Sequence, residues 1–557
     1  MNVRANKILL LVTSLATFFL LGWAAFEENA LQEWRRLQRE YRRRLPADAG
    51  FKVQLRQIVV PALHAADRCV CCHVGMAPGE SGIDGHPTFA RHPNVVHDPA
   101  EYGCTICHAG QGRATESAAA HGDVEHWPAP MIEKSQAYAG CGICHTHLAV
   151  PRAASLERGR LLVERYDCLA CHRLDGRGGT ARPLGAGGME GPDLSRTGVA
   201  SWDSQWYEHH LAHRETSRVA AWRSSFAAIP AGDREAIEVL LASRAGAPGL
   251  VESKAVFHSL GCRGCHKVNG VGGDDGPDLS AVGSMDPGQR DFSRVHGPHT
   301  VANWIREHFR APSRVVPGSA MPELGLTEEQ IESLTFYLLS LRRSAMPEAY
   351  WPNDRTRALR FGAREFATDG GTLYGTFCAA CHGPAGEGMR YAGMPAFPAI
   401  GNPDFLALVS DDFLRQTVRH GRRGRRMPSW GESEGGLRPA EIDSVVAWVR
   451  AMGGVAPRPD AKPQRWVAAD AGQGRELYAL NCGACHGQKG EGGEGPALAD
   501  PVLLANATDT YFVETIRQGR RGTSMVGFGV GSVARRALAP DEIEAIVAYI
   551  RTWETRP

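Results

Sequence analysis

Seven times along this chain a Cys-x-x-Cys pair is followed at once by a histidine. The copies are Cys69/Cys72/His73, Cys104/Cys107/His108, Cys141/Cys144/His145, Cys168/Cys171/His172, Cys262/Cys265/His266, Cys378/Cys381/His382 and Cys482/Cys485/His486. They use 14 of the 15 cysteines and leave over only Cys71, inside the first copy. A zinc site needs paired thiols but has no reason to put histidine after every pair. A redox dithiol would sit on a βαβ pattern, which this sequence lacks. Covalent attachment of c-type haem uses the whole pentapeptide. Two thiols add to two vinyl groups, and the adjacent imidazole turns onto the iron as proximal ligand. Seven covalently bound haem c groups are therefore expected, with Cys71 as a bystander thiol.

The spacing of the copies shows what must position them. Successive first cysteines lie 35, 37 and 27 residues apart up to Cys168, then 94, 116 and 104 apart. About 35 residues cannot build a core of their own, so the first three sites must share one compact module. Roughly 100 residues suffice for a small helical domain. Periodic apolar positions mark a closing helix in each later unit: Ile331, Leu334, Leu338 and Leu341; Ile442, Val445, Val446 and Val449; Ile543, Ile546, Val547 and Ile550. DREAIEVLLASR is a weaker fourth copy, and Thr327 with Gln330 forms a capping box before the first. With 557 residues, 64 glycines and 34 prolines, the expectation is several small domains wrapped around something other than a large apolar core. A net charge of +1 gives no sign of a nucleic-acid partner.

Residues 8–26 are nearly uncharged, and as a helix they would span roughly 28 Å, about one hydrocarbon core. A cleaved signal peptide competes with an anchor, but LGWAAFEEN offers a poor cleavage site, and the anchor is favoured. Arginines crowd after the span (Arg35, Arg36, Arg39, Arg42 to Arg44), so charge alone leaves its orientation open. Haem attachment outside the cytoplasmic membrane puts the bulk on the periplasmic side of a single-pass protein. The charged helix that follows reads either as a solvated spacer or as a docking helix for a membrane partner.

The expected fold is mainly α: a transmembrane helix in 1–26, a charged helix or spacer in 27–60, a triheme module in 61–150, and small all-α domains in 151–247, 248–345, 355–454 and 464–557. RALRFGAREFATDGG and VAPRPDAKPQRWVAADAG read as linkers into the last two. A helix, a haem motif, a loop and a closing helix together resemble the class I cytochrome c fold, in four copies over residues 151–557. That fold usually supplies a methionine just before its closing helix, which implies Met321, Met427 and Met525 as sixth ligands. The fourth domain breaks the pattern, because Phe226 or a neighbour stands where methionine is expected. Met189, His209, His210 or His213 could substitute there, or the iron could be five-coordinate. In the triheme module His64, His86, His92, His97, His121, His126 and His147 compete for three distal positions, and His92, His97, His121 and His126 cluster in one segment. Bis-histidine ligation is expected.

Residues 27–150, including Trp34-Arg-Arg-x-Gln-Arg-Glu-Tyr41, resemble membrane-anchored multihaem cytochromes associated with quinol-oxidising cytochrome bc-type complexes. The two terminal domains resemble the paired cytochrome c domains of cbb3-type oxidase subunits. The resemblances imply a membrane-bound electron carrier between such a complex and a soluble cytochrome or terminal oxidase. A haem enzyme acting at an open fourth site and a structural subunit are the alternatives. The Gly-rich runs GRGG and GEGGEG read as loops against the porphyrin edge rather than as phosphate loops. GRRGRR at 421–426 is read as holding haem propionates, with attraction of an anionic partner as the second choice.

Overall fold

The computed structural model describes residues 3–93, 95, 97–179, 191–198, 205, 208, 210–211, 229–244, 247–343, 345–422 and 426–554. The protein is mainly helical. Strand is confined, among the described residues, to two antiparallel pairs: β1 (Ile58–Val60) with β2 (Ala65–Asp67), and β3 (Arg173–Leu174) with β4 (Arg177–Gly178).

Helix α1 (Val3–Phe26) buries no residue and is long and apolar enough to cross a membrane. Helix α2 (Glu33–Arg44) is neither a bare spacer nor a face left for a partner alone. Its Trp34, Gln38 and Tyr41 share one side and are buried. The Gln38 amide donates to the Cys71 carbonyl at 3.0 Å and accepts from Gln54 N–H at 2.9 Å. Tyr41 meets Phe51 and Phe89 edge-on and donates to the Ser81 carbonyl. Arg36, Arg39 and Arg42 to Arg44 stay exposed on the opposite side. Cys71 is buried, and its thiol both donates to and accepts from the backbone of Arg56 (2.9 and 3.1 Å), as fits a bystander.

Among the described residues, four helix pairs frame the later domains. They are α3 (Ala153–Arg165) with α4 (Ala231–Ala242), and α5 (Pro248–Ser259) with α6 (Glu328–Ser340). After helix α7 (Asn353–Phe361) come α8 (Gly370–Phe377) with α9 (Pro439–Gly453), and α10 (Ala471–Asn481) with α11 (Pro540–Arg551). The closing helices bury the residues that periodicity marks, and the Thr327–Gln330 capping box forms. Where helices cross closely, only glycine fits. A Cβ on Gly159 would lie 2.4 Å from the Ala236 carbonyl oxygen, and one on Gly474 would lie 1.9 Å from that of Ala545.

The units do not hang as separate beads. One apolar cluster runs from Ala139 and Leu148 through the fourth domain into the fifth, and a second joins the sixth and seventh. Nor are the connecting stretches passive. Met346 is buried with Ile58, Val60 and Leu63 in the triheme module. Trp351 Nε1 donates to the Met346 carbonyl at 2.8 Å, and Tyr350 meets Tyr102 edge-on. Further along, Glu365 pairs with Lys254 (2.6 Å) and Arg263 (2.7 Å), all three buried, while Lys254 also donates to the Leu148 carbonyl at 2.7 Å. Burial works to raise the Glu365 carboxyl, yet the Lys254 and Arg263 charges hold it well below the usual carboxylate range. GRRGRR also makes contacts within the protein. Arg422 pairs with the buried Asp500 at 3.0 Å and Arg426 with Asp275, so these arginines tie domains together; residues 423–425 lie outside the described residues.

Candidate haem sites

All seven motifs adopt one local geometry. The histidine N–H donates to the carbonyl of the first cysteine at 2.9–3.0 Å in every copy, a single helical turn. None of the fifteen cysteines is spent on a disulfide. Burial pushes the Cys72, Cys262, Cys378 and Cys482 thiols up to about 12 and those of Cys141 and Cys144 up to about 11. Among the described residues no group of three or more His, Cys, Asp or Glu side chains is gathered around one metal position.

Cys485 departs from the set. It is exposed, whereas every other motif cysteine is half-buried. The loop that follows is rich in glycine. Gly495 N–H donates to the Cys485 carbonyl at 2.9 Å, and a Cβ on Gly493 would lie 3.0 Å from that oxygen. Backbone therefore covers Cys485 on one side, and no side chain of Gly492, Gly493 or Gly495 extends over its thiol. The GEGGEG run thus lies against the motif backbone, with Cys485 exposed and Cys482 half-buried.

The imidazoles are held by their other nitrogen. Nδ1 of His172, His266, His382 and His486 lies 2.8–2.9 Å from the carbonyls of Pro192, Pro277, Pro398 and Pro496. A carbonyl can only accept, so Nδ1 carries the proton and Nε2 is the free lone pair. Glycine lies against the ring in three of them: a Cβ on Gly191, Gly276 or Gly495 would fall 2.3–2.8 Å from the histidine Cε1. His73 Nδ1 lies 3.2 Å from the Thr88 carbonyl, and His145 Nδ1 lies 3.0 Å from Asp354 Oδ1. Nδ1 of His108 is buried with no partner among the described residues. Burial lowers the His73, His108, His266 and His382 imidazoles, which favours the neutral form able to ligate a metal.

Opposite four of these imidazoles stands a second one. Ring centres are 6.4 Å apart for His73 and His121, 6.0 Å for His108 and His92, 6.3 Å for His145 and His97, and 6.1 Å for His172 and His210. Metal–imidazole bonds run about 2.0–2.1 Å, as at zinc, so two rings flanking one metal have centres roughly 6 Å apart. The donor set and its spacing thus fit haem, which the two thiols and the two imidazoles would hold. His126 does not join them. It is 85% exposed beside Glu125, and no proximal histidine faces it. His64 is exposed, His86 takes the N–H groups of Thr88 and Phe89, and His147 bonds Thr146. Met189, His209, His213 and Phe226 lie outside the described residues.

Met427 and Met525 occupy the same local turn. Each carbonyl accepts from the N–H of the arginine five residues upstream, Arg422 (3.0 Å) and Arg520 (2.8 Å), so the missing proline after Met525 leaves that turn intact. Met321 and Met525 are half-buried against the two large apolar clusters. One residue escaped the sequence reading. His308 stacks on Trp304, and burial together with nearby His266 pushes its imidazole down to about 4. The signal was the aromatic spacing in NWIREHF.

Neighbouring motifs touch. The Cys69 and Cys104 thiols lie close together, as do those of Cys265 and Cys381. The third motif leans on the second, because a Cβ on Gly140 would fall 1.8 Å from the Cys107 carbonyl oxygen.

The helix pairs, the motif turns and their imidazoles define c-type cytochrome domains that bind haem covalently, in a multihaem chain that begins with a helix able to cross a membrane. Residues 250–342 match the cytochrome c family, and residues 365–449 and 469–550 match the family described as cytochrome c oxidase, cbb3-type, subunit III. The chain is similar to the cbb3-type cytochrome c oxidase subunit FixP of Bradyrhizobium sp. (strain ORS 278), 31% identical over 33% of this chain and 59% of that one. It is similar to subunit CcoP of Rhodobacter capsulatus, 30% identical over 33% and 61%. It also resembles the cytochrome bc1 complex cytochrome c subunit of Mycobacterium leprae (strain TN), 30% identical over 25% and 50%. The chain thus spans about three-fifths or less of the length of these relatives.

Proposed function

We propose that the protein is a membrane-anchored heptahaem cytochrome, its haem domains periplasmic, carrying electrons between a quinol-oxidising cytochrome bc-type complex and a periplasmic cytochrome or terminal oxidase. The observation that carries this reading is the common geometry of all seven motif turns. Bound haem supplies one-electron exchange. The chain supplies everything else. The thiols fix each site, His73, His108, His145, His172, His266, His382 and His486 present Nε2, and the proline carbonyls hold four of those rings in orientation.

The paired imidazoles support His121, His92 and His97 as distal ligands of the first three sites and His210 as that of the fourth. Met321, Met427 and Met525 serve the last three. Histidine lowers and methionine raises a haem potential, so the centres divide into a low group near α1 and a high group far from it along the chain. The resemblance of the two terminal domains to cbb3 oxidase subunits supports an oxidase-facing end, and that to a bc1 complex subunit supports a quinol-side partner. His210 opposite His172 weighs against an enzyme with an open fourth iron.

Mass spectrometry of the purified chain should find seven haems, and potentiometric titration should resolve at least two groups. Fewer covalent haems, or one narrow wave, would overturn the reading.

A further inference from the structure

Proximal imidazoles in this chain are held by two kinds of acceptor. His73, His172, His266, His382 and His486 give Nδ1–H to a neutral backbone carbonyl. His145 gives it to a carboxylate, Asp354 Oδ1, at 3.0 Å. The second oxygen, Asp354 Oδ2, accepts from His147 N–H at 3.3 Å, so the carboxylate is fixed at both ends. The Asp354 and His145 side chains are only 14% and 21% exposed. Asp354 stands 209 residues beyond His145, in the first turn of α7, and reaches it because Met346, Tyr350 and Trp351 fasten that stretch to the triheme module. Its neighbour Arg355 lies over the Trp351 ring, 4.8 Å from the centroid, and is near enough to Cys144 and His147 for its charge to act on both.

We propose that Asp354 is a positioning residue that makes the third site the lowest in potential of the seven. This rests on the reading that the third motif carries haem. A carboxylate draws the Nδ1 proton more strongly than a carbonyl does, so Nε2 becomes a stronger donor and favours the oxidised metal. The buried negative charge acts in the same direction, since the oxidised centre carries one more positive charge. The placement has a consequence for transfer. The third motif meets the fifth domain directly, with Gly142 against the Ser340 carbonyl and Asn269 Nδ2 donating to the Thr146 carbonyl at 3.2 Å. Electrons therefore do not pool where the module meets its neighbour. They rest on the sites to either side.

The test is Asp354→Asn in the full-length membrane protein, read by potentiometric titration of the visible bands. One-seventh of the haem absorbance should leave the lowest wave and move upward, with the remainder unchanged, and Asp354→Glu should restore the original curve. An unchanged lowest wave, a downward shift, or a shift spread over all centres overturns the proposal. In the unmodified protein, reduction through the lowest wave alone should move a carboxylate band in the redox-difference infrared spectrum, and its absence also overturns it. Mass spectrometry of the peptide spanning Cys141 and Cys144 separates the two claims. A peptide without haem sinks the seven-haem reading, whereas a haem-bearing peptide with an unmoved potential sinks only the role of Asp354.

Discussion

Replacing Glu365 by glutamine tests how the chain holds its sites in place. Glu365 is 6% exposed and sits between Lys254 (3%) and Arg263 (0%), so the substitution keeps the shape but leaves two buried cations without a counter-charge. Breaking a buried pair by removing one partner costs about 3–5 kcal/mol. At about 1.4 kcal/mol per factor of ten, opening of this junction should become roughly a hundredfold to a few thousandfold more frequent. Arg263 lies inside the fifth motif and Lys254 grips the Leu148 carbonyl, so the loss should appear locally, at residues 148–150, 254–268 and 362–369. Hydrogen exchange on the intact protein is the assay, since a chain of several domains need not unfold in one step. The pH dependence has a definite sign. The folded carboxyl is held below its ordinary value near 4.5, so its contribution is complete at neutral pH and is lost as pH falls below that value. The variant should lose this acid sensitivity at the junction. Protection unchanged within about threefold, a change well under 1 kcal/mol, would refute the idea that the buried pair fastens these units together.

Other substitutions probe the ligands and the packing. His92→Ala, His97→Ala and His121→Ala should each open one haem in seven to carbon monoxide, and His126→Ala should open none, as read from the ferrous spectrum. Met321→His should keep the fifth site six-coordinate and lower its potential within the roughly 0.8 V span that axial ligation covers, measured by titration. Gly474→Ala should destabilise the seventh domain by about 1–3 kcal/mol, because its Cβ would meet the Ala545 carbonyl oxygen at 1.9 Å; a thermal melt followed in the haem bands would show it.

What the sequence makes legible follows from local physics. The motif spacing, the closing-helix periodicity and the Thr327 cap depend on residues within one or two turns, and the structure places them as read. Burial of each thiol is less local: Cys265 is half-buried against Cys381 of another motif, whereas Cys485 is exposed. The distal histidines were legible only as a crowded set. His92, His97, His121 and His126 lie on irregular loops and short turns, where no period assigns a direction, and only the fold separates His126 from the rest. The buried side of α2 could have been found from Trp34, Gln38 and Tyr41 at helical spacing, but the arginines around them disguised it. Asp354 and Glu365 were not legible at all. Each acts on residues more than 100 positions earlier, Glu365 from a stretch that reads as linker and Asp354 from just before it.

Those two carboxylates show that order along the chain and order in space differ. The fourth domain stands between the third and fifth sites in sequence, yet the third motif packs on α6 of the fifth domain through Gly142 and Ser340, and the 346–365 stretch returns to both. The Cys265 and Cys381 thiols then bring the fifth and sixth sites into contact. A route from the triheme module to the terminal domains therefore need not include the fourth site, whose proximal ring faces His210. Selection for transfer would act on the straps that hold the third, fifth and sixth sites together more than on the fourth pentapeptide. Removing the fourth pair with Cys168→Ala and Cys171→Ala should leave reduction of the terminal domains through the module at its original rate in stopped-flow measurements. A rate that falls with loss of that haem would place the fourth site on the main path and break the argument from contact.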